Sequence, residues 1–382
     1  ARALAGLNRI DERTFTVSLL QPFSDFPALL ANPAFHPLPS AAWQSPGVLR
    51  PGFQDAPIGN GPFRLRAARQ RGEHIEVQRY DTYPGAKPQV AGVQFRVYRH
   101  LGSAYADVVR DRLDVVSAIP GPRLAAAGDE LAGRVHAAAG SVVQFLAFPM
   151  TGGTFGDARV RRAVSMAIDR DALVRTVFGA AEEPARSFVP PVVPGYRPDG
   201  CGPGCRFDPA AARRLYTGAS GPARLEIAYN SDGDHRAWVD VLCGQLTANL
   251  GVACAGAPQP TFADLLAGVR GGRLTGLYRV SWDLDYPSME NGLRPLFSST
   301  GAANDIGYRN PEFDESVRRG ATARGGPDAV AQYQRAEDLL AADMPAIPVR
   351  FSRTHLGYRA VVGNLRTDRG ARIDLTAVTK SG

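Results

Sequence analysis

Apolar and polar residues alternate along several short stretches of the chain, which is the pattern of β-strands that bury one face. This alternation predicts strands over 74–79 and 93–98, separated by a turn at 83–85. A further alternating segment predicts a hairpin over 7–20. The near-continuous apolar run 142–148 is too short for most helices, so it predicts a buried strand at the centre of a sheet.

Helical spacing of apolar residues marks the segments between these strands. Asp157 and Asp169 each precede a short amphipathic run and are the predicted N-caps of two helices in series, the second of which ends at Gly179. The same spacing predicts helices over 103–113 and 328–342. Strands therefore alternate with helices, which predicts an α/β fold with helices over a mixed sheet.

The middle of the chain contains one long irregular segment. Residues 180–205 are dense in Pro and Gly, which predicts a loop that is functional, mobile or held by a crosslink. A predicted strand over 225–229 follows it. The next residues, 230–235, form a predicted loop that opens a helix with Trp238 and Leu242 on its apolar side.

One stretch combines an arginine, an indole and two carboxylates at the end of a predicted strand. The strand prediction covers 277–282 and stops at a turn that includes Pro287. Strand ends are where α/β folds usually hold ligands, so the stretch has the composition of a recognition site. The candidate ligand-binding residues within it are Arg279, Trp282, Asp285 and Tyr286. The alternative is a capped turn with an exposed ion pair, which would contribute little.

Composition places the chain among ordinary globular proteins. Its 382 residues, 44% hydrophobic and 21% charged, are enough for two or three lobes with cores of their own. The net charge of +7 comes almost entirely from arginine, since Lys87 and Lys380 are the lysines. No basic run is as dense as those of nucleic-acid-binding arms, so a nucleic-acid partner is not favoured. Arg159, Arg161 and Arg162 could form an anion site, but a solvated helix face is the favoured interpretation.

Four cysteines, at 201, 205, 243 and 254, permit three disulfide connectivities. The favoured one joins Cys201 to Cys205 and Cys243 to Cys254, which predicts an oxidising, extracytoplasmic setting. A zinc site would need Cys-x-x-Cys pairs or nearby histidines, and the sequence has neither, so no metal site is predicted. No stretch of the sequence approaches the roughly 18 apolar residues of a membrane span.

Several motifs together resemble a known family. They are, in chain order, Ile10-Asp11-Glu12-Arg13-Thr14, 57–65, Tyr83-Pro84-Gly85, Leu113-Asp114, 155–173, Asn249-Leu250-Gly251-Val252, 282–287 and 308–314. In this order they resemble the peptide/nickel group, family 5, of the extracellular solute-binding proteins of ABC importers. Abundant Arg, Ala, Gly and Pro resemble the actinobacterial type, and the early hairpin resembles a chain truncated at its N-terminus.

The resemblance implies a class II periplasmic-binding-protein fold, in which two lobes with mixed sheets surround a ligand cleft. It assigns 1–46 to a remnant of a small N-terminal domain, 47–150 plus 356–382 to lobe I, and 151–355 to lobe II, with hinges between the lobes. It also implies a monomer that passes its solute to an ABC permease in the membrane, without a cofactor. The location would be extracytoplasmic, as a periplasmic protein or a cell-surface lipoprotein made from a longer precursor with a signal peptide.

The resemblance also assigns roles to residues. In peptide-binding members, the aspartate at the position of Asp285 pairs with the α-ammonium of the ligand, and Trp282 and Tyr286 would provide flat apolar walls. Arg279, with Asn230 and His235 in the loop before the following helix, could meet a carboxylate or a side chain. One departure is Asp111, which stands where the family usually has glycine.

Two other classes of function remain open at this point. An enzyme would need a nucleophile with its base, but the six histidines are scattered and neither Gly-x-Ser-x-Gly nor His-Glu-x-x-His occurs, so no catalytic residue is predicted. A regulator could use the same fold as a ligand-sensing domain. The solute itself is not identified, because peptides, nickel chelates, sugars and other small molecules all bind to this scaffold.

Overall fold

The structure, a computed structural model, describes residues 5–67, 74–150, 153–324, 326–368 and 370–381. The outer ends of the predicted domains at 1 and 382, and the first residue of predicted lobe II, 151, lie outside the described residues. Within the described ranges, no helix combines the length and apolar character that crossing a membrane requires.

The strands of the described residues are short at the start of the chain and longer in its second half. They are β1 (Leu7–Arg9), β2 (Phe15–Val17), β3 (Trp43–Ser45), β4 (Val48–Leu49), β5 (Phe63–Leu65), β6 (His74–Arg79), β7 (Gly92–Arg96), β8 (Val115–Val116), β9 (Val135–Ala147), β10 (Glu182–Pro184), β11 (Arg224–Asn230), β12 (Ala253–Gln259), β13 (Leu277–Asp283), β14 (Ala346–Tyr358), β15 (Val362–Gly363) and β16 (Thr379–Lys380).

The α-helices alternate with these strands. They are α1 (Phe26–Leu29), α2 (Leu101–Val109), α3 (Leu124–Glu130), α4 (Ala158–Met166), α5 (Arg170–Val177), α6 (Pro209–Gly218), α7 (Arg236–Leu250), α8 (Phe262–Arg270), α9 (Met289–Phe297), α10 (Pro311–Thr322) and α11 (Gly326–Asp343). Short 3-10 helices cover Pro33–Phe35, Ser40–Ala42, Gly121–Arg123, Gly179–Ala181 and Gly202–Cys205.

The chain divides into two compact units. Unit 1 comprises Ala1–Pro22, Leu30–Ala138 and Thr354–Gly382, and unit 2 comprises Phe23–Leu29 and Ala139–Arg353. The chain passes from unit 1 to unit 2 within β9, between residues 138 and 139. The sequence had predicted the boundary between the lobes after residue 150. Residues 23–29, predicted to belong to a small N-terminal remnant, pack in unit 2.

A mixed sheet with the strand order β10-β14-β9-β13-β11-β12 organises unit 2. β12 and β13 each pair in parallel with β11, whereas β13 pairs with β9 in the antiparallel sense. β9 lies inside the sheet because its residues 142–148 are almost entirely apolar and need cover on both faces. The predicted α/β fold with a mixed sheet is therefore confirmed.

The helices of unit 2 begin where their capping residues predict. The Asp157 side chain accepts a hydrogen bond from the Arg159 backbone N–H, and that of Asp169 accepts one from Ala172. On α4, the predicted solvated arginine face is wrong for Arg161, which is 3% exposed. Its guanidinium donates to the backbone carbonyls of Phe155, Gly156, Asp343 and Met344. Arg161 is buried because these carbonyls provide its acceptors.

Two disulfides bind parts of unit 2 together. Cys201 is joined to Cys205 and Cys243 to Cys254, the connectivity that the sequence favoured. The second bond ties α7 to β12. The Pro- and Gly-rich segment 180–205 contains β10, which the sequence analysis missed, and β10 pairs with β14.

Unit 1 has a smaller core and a three-stranded antiparallel sheet, β5-β6-β7. α2 and α3 contribute Tyr105, Val108 and Ala127 to that core. Asp111, at the position where glycine is usual, has φ of 61°. An L-residue in this left-handed conformation is strained unless local contacts hold it, and here the Asp111 carboxylate accepts a hydrogen bond from Arg359 at 2.9 Å.

Candidate functional site

The candidate site lies in unit 2, on β13 and on the loop that follows β11. Ala228 of β11 pairs with Tyr278 of β13 in parallel register, so the loop after Asn230 and the second half of β13 lie at the same part of the sheet. Arg279 is 8% exposed and Asn230 is 4% exposed. Two polar residues that the sequence singled out are therefore buried near one sheet end.

Arg279 is a buried cation whose contacts are all neutral. Its Nη2 lies 2.7 Å from His235 Nε2, its Nη1 donates to Ser281 Oγ at 3.3 Å, and its guanidinium lies 4.8 Å from the centre of the Phe262 ring. Among the described residues, no carboxylate oxygen lies within 4.0 Å of an Arg279 nitrogen, which is the distance limit for an ion pair. Its Nε is buried without an acceptor. Asp232 acts on this charge from beyond ion-pair distance. A buried charge without a direct counterion is costly, so an anion in contact with Arg279 would be stabilised.

His235 lies between two hydrogen-bond donors. Trp238 Nε1 donates to His235 Nδ1 at 3.3 Å, and the Arg279 guanidinium faces His235 Nε2. Burial, followed by the nearby charge of Arg279, lowers the pKa of His235 to about 4. A neutral imidazole has one acceptor nitrogen, so it can satisfy only one of these two donors at a time.

A second arginine, Arg350 on β14, lies close enough to affect Arg279. Burial, and then the charge of Arg350, lowers the pKa of Arg279 to about 10. Arg350 pairs with Glu182 of β10 at 2.7 Å and lies 4.4 Å from the centre of the Phe178 ring. Burial raises the pKa of Glu182. Arg350 Nε and Glu182 Oε2 are also buried without partners.

Arg350 and Glu182 are site residues that were not predicted from the sequence. A signal for Arg350 was present, because an arginine in the middle of the otherwise apolar run 346–351 needs a partner or a ligand. Glu182 gave no comparable signal, since it lies in a Pro-rich segment without a clear period.

Asn230 faces the same loop as His235. Its Nδ2 donates to the Asp232 carboxylate, whereas its Oδ1 is buried without a donor. Gly233 lies between the two side chains, since a Cβ there would be 2.7 Å from His235 Nε2 and 3.4 Å from Asn230 Nδ2. The structure thus brings Asn230, His235 and Arg279 together, with a free acceptor on Asn230 and a free donor on Arg279.

Asp285 lies in the turn between β13 and α9, and it is exposed. Its backbone N–H donates to Asn291 Oδ1 at 2.9 Å, and Asn291 Nδ2 donates to Asp285 Oδ2 at 3.5 Å. The neighbouring Asp283 accepts a hydrogen bond from Ser141 Oγ at 2.5 Å. In the alternative of a capped turn, Asp285 and Arg279 would form the ion pair. In the structure, these two side chains contact different residues.

The two aromatic candidates differ in their surroundings. Trp282 is partly buried, and its Nε1 is buried without an acceptor. Tyr286 is 6% exposed, and its hydroxyl donates to Glu290, which also accepts from Arg294. Burial, and then the Glu290 carboxylate, raises the pKa of Tyr286. Tyr286 therefore shows little of its ring to a solute in this structure.

Within the described ranges, no group of three or more His, Cys, Asp or Glu side chains is placed to hold a metal ion. The chemistry on offer is recognition by fixed charges and hydrogen bonds. The buried Arg279 guanidinium can bind an anion, and the buried Asn230 Oδ1 can accept an N–H. The exposed Asp285 carboxylate lies in the turn that follows β13.

Comparisons with known proteins agree on one family. The model of "Bacterial extracellular solute-binding proteins, family 5 Middle" matches residues 2–304. The periplasmic murein peptide-binding protein MppA of Escherichia coli (strain K12) is 26% identical over 366 residues, which cover 90% of this chain and 64% of that protein. The glutathione-binding protein GsiB of Shigella dysenteriae is 25% identical over 366 residues, covering 91% and 68%.

Solved structures show the same fold. The unliganded open form of MppA superposes with a TM-score of 0.86 at 24% identity, covering 98% of this chain and 73% of that one. HbpA2 from Haemophilus parasuis gives a TM-score of 0.88 at 20% identity, with 98% and 75% covered. These matches confirm the predicted periplasmic-binding-protein fold. The chain spans less than two thirds of the length of MppA in the sequence comparison.

Proposed function

The chain belongs to bacterial extracellular solute-binding protein family 5, and on this premise we propose that it captures a short peptide, or another solute with an amine and a carboxylate, for an ABC importer. The observation that carries the proposal is Arg279. Its buried guanidinium has neutral contacts alone among the described residues and a donor without an acceptor. Asp232 acts on Arg279 only from beyond ion-pair distance, and a ligand carboxylate would supply a direct counterion and the missing acceptor together.

Asp285 supplies the opposite charge. It follows Arg279 by six residues, and it is exposed at the end of β13, where a cationic group can reach it. We assign the ligand ammonium to Asp285 and the ligand carboxylate to Arg279 with His235. Asn230 Oδ1 would accept an N–H of the ligand, and Trp282 would lie beside it. The Tyr286 hydroxyl is bonded to Glu290 and its ring is buried, so we do not assign Tyr286 a direct contact with the ligand.

Binding is favoured over the two alternatives, an enzyme and a sensory domain. Family 5 consists of solute-binding proteins, and the two named relatives are a peptide-binding and a glutathione-binding protein. A catalytic role is accordingly not assigned to any residue. The family also supports an extracytoplasmic location, and two disulfides agree with an oxidising compartment.

The partners follow from the same proposal. An ABC permease would receive the solute, and the binding protein would act as a monomer. The predicted lipid anchor and signal peptide remain predictions. A pull-down with the purified protein would test whether it binds an ABC permease.

Calorimetry with blocked peptides tests the solute class. We expect a short peptide to bind, an N-acetylated form and a C-terminal amide each to bind at least about tenfold more weakly, and the doubly blocked form to be weakest. A library of free peptides that gives no heat and no thermal shift at millimolar concentration would refute the proposal.

Two variants test the assignment of Asp285. Asp285→Asn keeps the shape and removes the charge, which typically costs about 2–5 kcal/mol of binding when the partner charge is desolvated. Asp283→Asn is the matched control, because Asp283 is engaged by Ser141. N-acetylated peptide should bind Asp285→Asn and wild type alike. Equal affinity of both proteins for the free peptide would contradict the assignment.

A further inference from the structure

The disulfide Cys201–Cys205 lies beside a surface groove of unit 2. The groove has a volume of about 660 Å³ and is lined by Arg162, Arg197, Cys201, Gly204 and Asp338, among others. Cys201 is 0% exposed and Cys205 is 2% exposed. The residues between them, Gly-Pro-Gly, line the groove together with Cys201, and Gly202 has φ of 60°. A turn without bulky side chains is thin cover for a disulfide.

A buried cation lies against the sulfur of Cys205. Arg170 Nη2 contacts Cys205 Sγ at 3.5 Å and the Ser165 hydroxyl oxygen at 2.8 Å, and Arg170 Nη1 donates to the Cys205 carbonyl at 3.2 Å. Ser165 Oγ also donates to Cys205 Sγ, at 3.9 Å. Within the part of the chain that the structure describes, Arg170 forms no ion pair with a carboxylate. The backbone carbonyls of Pro348, Ser165 and Ile168 also accept from its guanidinium, so its hydrogen bonds are satisfied while its charge has no paired carboxylate.

Reduction of the disulfide would change this balance. A neutral Cys205 thiol would leave Arg170 without a counterion, whereas a Cys205 thiolate would form a buried ion pair with it. Burial alone raises the pKa of a thiol, but a guanidinium in contact with the sulfur lowers it. Among the described residues no carboxylate is within ion-pair distance of that guanidinium, so its contact with the sulfur favours the thiolate. Burial, and then the charge of Arg186, lowers the pKa of Arg170 to about 9, and Asp171 opposes this shift.

We propose that Cys201–Cys205 is a thiol-exchange site for low-molecular-weight thiols, with Cys205 as the leaving group. The thiolate of the small thiol attacks Cys201 Sγ from the groove, the Cys201–Cys205 bond breaks, and Cys205 leaves as a thiolate held by Arg170 and Ser165. The product is a mixed disulfide on Cys201. A second thiolate displaces Cys201, so two electrons reach the cysteine pair and the small thiol is oxidised to its own disulfide.

The other disulfide of the chain is a matched internal control. Cys243 is 7% exposed and Cys254 is partly exposed, so simple access favours reaction at Cys243–Cys254. No described guanidinium contacts the sulfur of either residue. Solvent access therefore predicts that Cys243–Cys254 is the more readily reduced bond. The contact with Arg170 predicts that Cys201–Cys205 is.

Other charged groups lie around the Cys201–Cys205 site. They are Arg162 at the groove, Arg186 paired with Asp171, and Glu337 paired with Arg197 beside Gly200. The carboxylates of this set are engaged by arginines. Asp338, which also pairs with Arg197, and the exposed Asp199 line the groove as well. The contact with Arg170, rather than the groove as a whole, therefore favours an anion at Cys205.

An equilibrium redox titration tests the proposal on the native protein. The protein is equilibrated with defined ratios of reduced and oxidised dithiothreitol, alkylated, and digested, and mass spectrometry gives the redox state of each pair. We expect the reduction equilibrium constant of Cys201–Cys205 to exceed that of Cys243–Cys254 at least tenfold, which is about 30 mV for a two-electron couple. Equal constants, or the reverse order, would overturn the proposal.

Variants separate the charge of Arg170 from the short loop that this disulfide closes. Arg170→Gln should reduce the ratio of the reduction equilibrium constants of Cys201–Cys205 and Cys243–Cys254 by about tenfold. Arg170→Lys should leave this ratio close to that of wild type. In Cys201→Ser, the ultraviolet absorbance of the Cys205 thiolate should appear below the ordinary thiol pKa of about 8.5, and in Cys205→Ser that of Cys201 should not. This second measurement decides the matter if the Arg170 variants fail to fold. A Cys205 that ionises at or above the ordinary value refutes the role of Arg170.

Discussion

Buried arginines of two kinds occur in unit 2, and the difference lies in their acceptors. The Arg161 guanidinium reaches backbone carbonyls with each of its nitrogen atoms. Arg279 has an Nε without an acceptor and a histidine nitrogen as its shortest contact. The first arrangement is complete within the protein, whereas the second leaves a donor for the ligand carboxylate that we propose. Arg350 Nε is unsatisfied in the same way. Unsatisfied donors, rather than burial alone, therefore mark the arginines to test as ligand contacts.

Arg279→Gln should affect stability and binding in opposite directions. Removing an uncompensated buried charge should leave the unliganded protein as stable as wild type or more stable, and affinity for a free peptide should fall by about 2–5 kcal/mol. Urea unfolding and calorimetry measure the two effects. Arg236→Gln is the control, since the Arg236 side chain is 83% exposed at the start of α7. A large loss of stability in Arg279→Gln would mean that Arg279 is structural.

His235 gives unit 2 a dependence on acid. Its pKa is about 4 in the folded protein against an ordinary 6.5, so the unfolded chain takes up the proton first as pH falls. The stabilisation is complete above pH 6.5 and is lost between pH 6.5 and about 4. Its size is roughly 1–2 kcal/mol after allowance for solvent screening of a half-buried group.

We expect His235→Gln to lose less stability than wild type when urea unfolding is compared between about pH 7 and about pH 4.5. His100→Gln, at an exposed position, should follow wild type. Parallel curves for all three proteins would show that His235 does not contribute.

Strands whose own residues have high β-propensity could be predicted from the sequence. Strands that are extended only because they pair with a neighbouring strand could not. β13 and the apolar half of β9 were found from the sequence because Val, Phe and Tyr recur there. β12 reads Ala-Cys-Ala-Gly-Ala-Pro-Gln, which has little β-propensity, and it is extended because it pairs with β11 over seven residues. The candidate residues on β13 were predictable for the same reason. Arg350 also had a signal in its apolar run, whereas Glu182 required the tertiary pairing of β10 with β14.

Glycines on two elements should respond to alanine in opposite ways. At Gly140 in β9 a Cβ would lie 2.9 Å from the Ser352 carbonyl oxygen on the adjacent strand β14, so Gly140→Ala should cost about 1–3 kcal/mol. At Gly244 in α7 a Cβ would meet nothing within 4 Å, so Gly244→Ala should stabilise by about 0.5–1 kcal/mol. Thermal unfolding of both variants checks the signs, and destabilisation of similar size in both would contradict this account.

For the whole molecule, the segment Phe23–Leu29 shows how unit 2 is assembled. The Ser24 N–H donates to the Ala321 carbonyl at 2.7 Å, and the Tyr333 hydroxyl donates to Asp25 Oδ2 at 2.9 Å. Unit 2 thus includes a piece of chain that precedes its main part by more than a hundred residues. No local sequence pattern could predict this placement, because the contacts join residues about 300 positions apart.

Tyr333→Phe should loosen this segment selectively. The change removes a hydrogen bond to a carboxylate, worth about 1.5–3 kcal/mol, while it keeps the packing of the ring. Hydrogen exchange followed by mass spectrometry should show faster exchange in 23–29 and little change in β9 or β13. Arg335→Gln, at an exposed position of the same helix, should exchange as wild type does. Uniform acceleration across unit 2 would contradict a local role.

The bond between Cys243 and Cys254 has a consequence for how the protein behaves at high concentration. β12 is the last strand in the order of the described sheet, and this bond fastens it to α7. If β12 frayed, the exposed edge would become β11, whose Leu225 and Ile227 are almost fully buried. A bare apolar edge can pair with the same edge of another copy. Strong reductant during storage should therefore produce turbid samples, which makes this bond a safeguard of colloidal stability.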